Sequence, residues 1–227
     1  MAPPIGRVVR ILADAGVELE ADLCVPSAAT GLVVFAHGSG SGRFSPRNRF
    51  VASTLESAGF GTLMLDLLSA QEAAFDEQTS AYRFGVAMLG RRVVAAIDWA
   101  RDQPAAPGAI ALFGASTGAA AALVAAAERP DAVRAVISRG GRPDLAGPAL
   151  TRVRAPTLLI VGGHDSAILD LNRRASAEMH AEVQLEVVPG AGHLFEEAGA
   201  LEAASRLAVD WCRRYLGASG MAVSGSR

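Results

Sequence analysis

Short apolar runs rich in β-branched residues alternate along the chain with longer stretches of helical period, which predicts a mostly parallel sheet carrying helices on both faces. Eight runs have the length and composition of strands: 7–12, 17–25, 32–36, 62–65, 109–113, 132–138, 157–161 and 182–188. The first two flank the turn-like spacer Ala13-Asp14-Ala15-Gly16 and predict an antiparallel hairpin at one sheet edge. The next five are short, apolar and bounded by Gly or Pro, as strands buried on both faces are. The run 182–188 is placed near the opposite edge. Helical periodicity covers 47–57, 84–101, 117–127, 169–180 and 201–215. The polar linker 67–83 is read as a long loop and a lid candidate. The Gly-, Ser- and Ala-rich tail 217–227 is expected to be disordered, and 1–216 to form a single domain.

Composition narrows the classes of function. The chain has 227 residues, 51% hydrophobic and 19% charged, enough to bury a substantial core without disulfide or metal staples. A net charge of -2 leaves no basic stripe for phosphate backbones, so nucleic acid is not an expected partner. Cys24 and Cys212 stand far apart and outside any metal-ligand spacing, and neither metal nor cofactor is expected. The N-terminal residues hold no secretory apolar run, and no stretch has the length of a membrane span. The expectation is a cytoplasmic, reduced protein with no membrane partner.

The chemistry concentrates at the predicted carboxyl ends of strands. Gly114-Ala115-Ser116-Thr117-Gly118 is a Gly-x-Ser-x-Gly pentapeptide between the strand 109–113 and an Ala-rich helix. A sharp strand-to-helix turn there would strain the backbone and hold the Ser116 hydroxyl up at the sheet edge. A serine hydroxyl needs a base to take its proton and an acid to orient that base. Asp165, in Gly162-Gly163-His164-Asp165, follows the strand 157–161, and His193 closes the loop Pro189-Gly190-Ala191-Gly192-His193 after the last strand. A catalytic set of Ser116, Asp165 and His193 is therefore expected. The loop His37-Gly38-Ser39-Gly40-Ser41-Gly42 follows the strand 32–36. Its Ser39 amide, with that of Thr117, is the expected oxyanion hole, and Gly40 is the alternative to Ser39.

Taken together, His37-Gly38, the turn at Ser116, Gly162-Gly163-His164-Asp165 and Gly190-Ala191-Gly192-His193 resemble the α/β-hydrolase superfamily. The likeness is to its dienelactone hydrolase-like branch, and it extends over about 17–216. It implies an α/β-hydrolase fold of about eight strands and a covalent acyl-enzyme. Named members of that branch carry cysteine where this chain has Ser116. The departure shifts the expected chemistry to serine hydrolysis of a carboxylic ester or lactone. Thioesterase, acyltransferase and peptidase reactions use the same parts. The reading from another class is a non-catalytic protein of hydrolase fold that binds a ligand in the same cleft. A homodimer through the exposed edge strand is compatible with the pattern.

Each candidate has a plainer alternative. Asp165 suits a helix N-cap, and Asp144 is a second carboxylate able to reach the histidine. His37 suits bracing of its own loop, and His164 a surface position. Arg139 and Arg142 emerge at the end of the strand 132–138, on the side where substrate would bind. Arg139 either clamps a substrate carboxylate or pairs with Asp144 or another loop acid. Arg139, His37 and Gly40 are accordingly the candidate substrate-binding residues.

Overall fold

The computed structural model describes residues 6–103 and 106–217, so residues 218–227 of the expected disordered tail lie outside the described residues. Strands β1 (Arg7–Leu12) and β2 (Glu18–Cys24) form the predicted antiparallel hairpin. There follow β3 (Leu32–Ala36), α1 (Pro46–Ser57), β4 (Gly61–Leu65), α2 (Ala70–Thr79), α3 (Val86–Arg101) and β5 (Ile110–Ala115). The chain continues through α4 (Thr117–Glu128), β6 (Val133–Arg139), β7 (Thr157–Gly162), α5 (Ser166–Glu178), β8 (Val183–Val188) and α6 (Ala200–Leu216). Among the described residues the sheet has eight strands, in the order β1-β2-β4-β3-β5-β6-β7-β8. β2 pairs antiparallel with β4, and every pairing from β4 to β8 is parallel.

The uniform apolarity of the central runs has a direct cause: every residue of β3, β4, β5 and β7 is buried. Alternate side chains of β3 enter opposite cores. Leu32, Val34 and Ala36 pack with α3 and α4, whereas Val33 and Phe35 pack with α1 and α6. The Phe35 and Phe113 rings lie 4.8 Å apart between centroids, and burying each contributes about 1.5–3 kcal/mol. The small side chains of α4 let it sit within the core, and a Cβ at Gly90 of α3 would come 2.5 Å from Val124 Cγ1. Among the described residues no helix is long and apolar enough to cross a membrane.

Three local readings need correction. The segment 67–83 is not a long loop, because α2 occupies its centre. Ser69 Oγ accepts from the Glu72 amide while the Glu72 carboxylate accepts from the Ser69 amide, a reciprocal cap. Ion pairs rather than an apolar face anchor this helix: Arg92 grips Glu72 at 2.5 and 2.6 Å. Asp76 takes the amides of Tyr82 and Arg83 at 2.7 and 3.0 Å and the Arg83 Nε at 2.8 Å. The second correction is Pro143–Arg152, a 3-10 segment kinked at Gly147 that the periodicity does not show. The third is α5, which begins at Ser166, directly after Asp165, and ends before His180 because Met179 is already extended.

Candidate active site

Ser116 is the single residue between β5 and α4. Its backbone stands at φ 51° and ψ -123°, a conformation rare and costly for a residue with a Cβ. The turn survives because its neighbours over-determine it. The Ser116 amide donates to the Arg139 carbonyl at 3.3 Å, and its carbonyl accepts from the amides of Ala119 and Arg142 at 3.1 and 3.0 Å. Both flanking glycines are sterically required. A Cβ at Gly114 would lie 2.3 Å from Ala119 Cα, and one at Gly118 would lie 2.2 Å from the Ala36 carbonyl oxygen.

Asp165 occupies the N-cap position of α5, yet its side chain makes no capping hydrogen bond. Its Oδ2 instead accepts from His193 Nδ1 at 2.7 Å. An ionised carboxylate can only accept, so Nδ1 carries the proton and Nε2 keeps its lone pair. The carboxylate sits behind the ring, 16% exposed against 39% for the imidazole. The histidine loop is pressed onto the end of β7: His164 N donates to Ala191 O at 2.9 Å, and a Cβ at Gly162 would come 2.4 Å from that same oxygen. Two residues beyond His193, Phe195 is buried, and its amide donates to the Gly192 carbonyl at 3.3 Å. Ser116 and His193 line one cavity of about 210 Å³. The one side-chain hydrogen bond of His193 among the described residues is that to Asp165. Contacts between nucleophile and base commonly close only when substrate is bound.

The oxyanion loop is built differently from the expectation. The Ser39 amide donates to Thr117 Oγ1 at 2.9 Å, the two hydroxyls lie 2.9 Å apart, and Ser39 Oγ donates to the Arg83 carbonyl at 3.1 Å. Ser39 N–H is therefore engaged by the residue that was to be its partner in the hole. The Thr117 amide opens α4, where a first-turn N–H has no intrahelical acceptor. Gly40 does not line the cavity of Ser116 and His193; it lines a second cavity of about 350 Å³ with His37 and Thr117. Gly38, read from the sequence as part of the His37-Gly38 motif, sits against the nucleophile: a Cβ there would stand 3.1 Å from that of Ser116.

The plainer alternatives separate cleanly. The His37 ring is occupied by backbone, with Nδ1 donating to Gly38 O at 2.9 Å and Nε2 accepting from the Leu67 amide at 2.9 Å. Burial pushes its pKa down, so the ring is held neutral as a brace. Asp144 is taken by Arg142, which forks onto it at 2.8 and 2.7 Å, and is committed away from the histidine. Arg139 consequently does not pair with Asp144; it lines the cavity of Ser116 and His193, and its Nη2 donates to Asn48 Oδ1 at 3.2 Å. Burial, with the charge of Arg47 adding, pulls its pKa to about 10, which leaves it cationic at neutral pH. Asn48 and Arg47 were not singled out from the sequence. The only local signal for that corner is Ser45-Pro46, a cap followed by a first-turn proline. His164 and His180 are exposed.

The family model for dienelactone hydrolases matches residues 19–215. The chain belongs to the dienelactone hydrolase family. A dienelactone hydrolase crystal structure from Anabaena variabilis is 48% identical, covers 94% of this chain and 99% of that one, and superposes with a TM-score of 0.91. Est1E from Butyrivibrio proteoclasticus, solved with ferulic acid, shares the fold at 18% identity and a TM-score of 0.74, covering 89% of this chain and 98% of its own. Two curated Mycobacterium tuberculosis proteins with phosphoribosyl transferase names are 55% identical over 190 residues, 83% of this chain. The matched region is 42% of their length, so this family member spans less than half of those relatives, whose name describes a longer protein.

Proposed function

We propose that the chain is a serine hydrolase that cleaves a carboxylic ester or lactone through an acyl-enzyme. The observation that carries this reading is the strained Ser116 turn opening into the same cavity as His193, whose Nδ1 is held by Asp165. His193 Nε2 takes the proton of Ser116 Oγ as that oxygen bonds to the acyl carbon. The same imidazole then protonates the leaving alkoxide, and water repeats the sequence to release the acid. Asp165 fixes the tautomer and stabilises the imidazolium that forms in each half-reaction. The Thr117 amide receives the oxyanion. The Ser39 amide joins it once the Thr117 hydroxyl turns away, and the loss of one such donor costs about a hundredfold to a thousandfold in rate.

A fluorophosphonate probe tests the reading, followed by a panel of esters, thioesters and lactones of graded acyl size. The folded wild-type chain is expected to be labelled and Ser116→Ala is not. Absence of labelling in the folded wild-type protein favours a ligand-binding role for the same cavity.

A further inference from the structure

Two sets of bonds hold the loop that carries His193 between β8 and α6. The first ties its base to the end of β7, where Gly163 N donates to Val188 O and His164 N to Ala191 O, both at 2.9 Å. The second lies beyond the histidine. There the chain passes through Phe195, whose φ of 58° is costly for a residue with a Cβ and persists only where its surroundings over-determine it. The side chain that closes this stretch is Glu197. Its Oε1 accepts from the Gly192 amide at 3.0 Å, which makes 192–197 a ring with His193 as the second residue. Gly192 belongs to the same device: a Cβ there would stand 2.9 Å from Glu197 Oε1, so the absent side chain lets the carboxylate close on that amide. The Gly192 amide above all, then the amide of Glu197 itself, holds this carboxyl below its ordinary pKa. It is therefore ionised at neutral pH, and the bond is charge-assisted. His164, next to Asp165 on the neighbouring loop, acts on the carboxylate in the same direction. Glu196 is placed differently. It is 66% exposed and reaches Arg47, and surface pairs of this kind contribute little.

We infer that Glu197 is a positioning residue for His193, its carboxylate clamping the Gly192 amide so that the imidazole stays aligned between Asp165 and Ser116. The inference rests on the serine-hydrolase reading of Ser116 and His193. Proton transfer between those two groups tolerates little misplacement, since a shift of about 1 Å costs on the order of a hundredfold in rate. Glu197 itself does not line the cavity of Ser116 and His193. Its removal therefore acts on kcat and spares KM.

The test compares the wild type with Glu197→Ala, Glu197→Gln, Gly192→Ala and Glu196→Ala. Three quantities are read: kinetics on an activated ester, the urea midpoint, and the nitrogen NMR shifts of the His193 imidazole, which report its tautomer without turnover. Glu197→Ala is expected to lower kcat about tenfold, with KM within about twofold and the urea midpoint unchanged. Its imidazole changes from wholly Nδ1–H to a mixture of tautomers. Glu197→Gln keeps an oxygen acceptor and recovers most of both properties. Gly192→Ala displaces the carboxylate with Glu197 intact and repeats the loss, so it carries the comparison where Glu197→Ala does not fold. Glu196→Ala, which removes only the pair with Arg47, stays at wild-type values. A Glu197→Ala imidazole that remains wholly Nδ1–H overturns the inference even if kcat falls. So does an equal change in Glu196→Ala, or a Glu197→Ala kcat within about twofold of an active wild type. Where the wild type hydrolyses no ester, the functional reading fails and the tautomer comparison alone judges the clamp.

Discussion

Two groups of arginines flank the loop between β3 and α1, and they are built in opposite ways. On the α2 side, Arg92 donates to Glu72 and to the Leu67 carbonyl, and Arg83 donates to Asp76. On the other side of the loop, Arg139 faces the cavity of Ser116 and His193 with one end unpartnered. The first group is electrostatically closed and its product is a fixed helix. The second keeps a buried guanidinium in the cavity wall with no counter-ion. Natural folds keep such unmet groups where binding or chemistry requires them, which makes the contrast a separation of stability from function.

The largest expected effect lies on the side of the catalytic cavity. Asp165→Asn lowers kcat by about 10⁴-fold, because the imidazole loses its tautomer and its charge partner. The urea midpoint of that variant stays close to wild type, since the side chain caps no helix. Next is Glu72→Gln on the closed side: leaving Arg92 without its carboxylate costs about 3 kcal/mol in urea unfolding. Arg139→Met is expected to hold or raise stability within about 1 kcal/mol, since it removes a buried charge that has no counter-ion. A drop as large as that of Glu72→Gln would erase the distinction between the two groups.

A smaller effect is expected at the loop itself. Thr117→Val removes the acceptor that now holds the Ser39 amide, and kcat on an activated ester rises about fivefold, the worth of one neutral hydrogen bond. A fall of tenfold would show that the threonine hydroxyl supports the transition state instead. The smallest effect is the pH response of His37. Burial holds its pKa below the ordinary 6.5 in the folded chain, so the unfolded chain binds the extra proton first. Its stabilising contribution is complete above pH 6.5 and declines as pH falls toward the lowered folded value. Urea midpoints measured from pH 7.5 down to about 5 show the slope, and His37→Asn flattens it.

The parts of the fold that were legible are those where burial alone decides the residue. β3, β5 and β7 are apolar on both faces because both faces are covered. Gly114 and Gly118 mark the turn at Ser116 because nothing larger fits. α2 was hidden because ion pairs hold it and its apolar periodicity is weak, although Ser69-x-x-Glu72 signals a capped helix start. The engagement of Ser39 by Thr117 was also hidden, since it joins two segments far apart in the chain through a side-chain hydroxyl that no local pattern marks. Nor does the sequence say which of Arg139 and Arg142 takes Asp144. Gly140, at φ 51°, turns the chain after β6 and leaves Arg139 in the cavity wall while Arg142 meets the acid.

The central claim is that Ser116 forms a covalent acyl intermediate with His193 as its base. Intact-mass spectrometry of the protein quenched during turnover of a slow ester measures this directly. An adduct of the acyl mass, mapped by digestion to the peptide holding Ser116 and absent from Ser116→Ala, is the predicted result. Turnover that persists in Ser116→Ala, or steady hydrolysis by the wild type through a burst-free path with no adduct on that peptide, would contradict it.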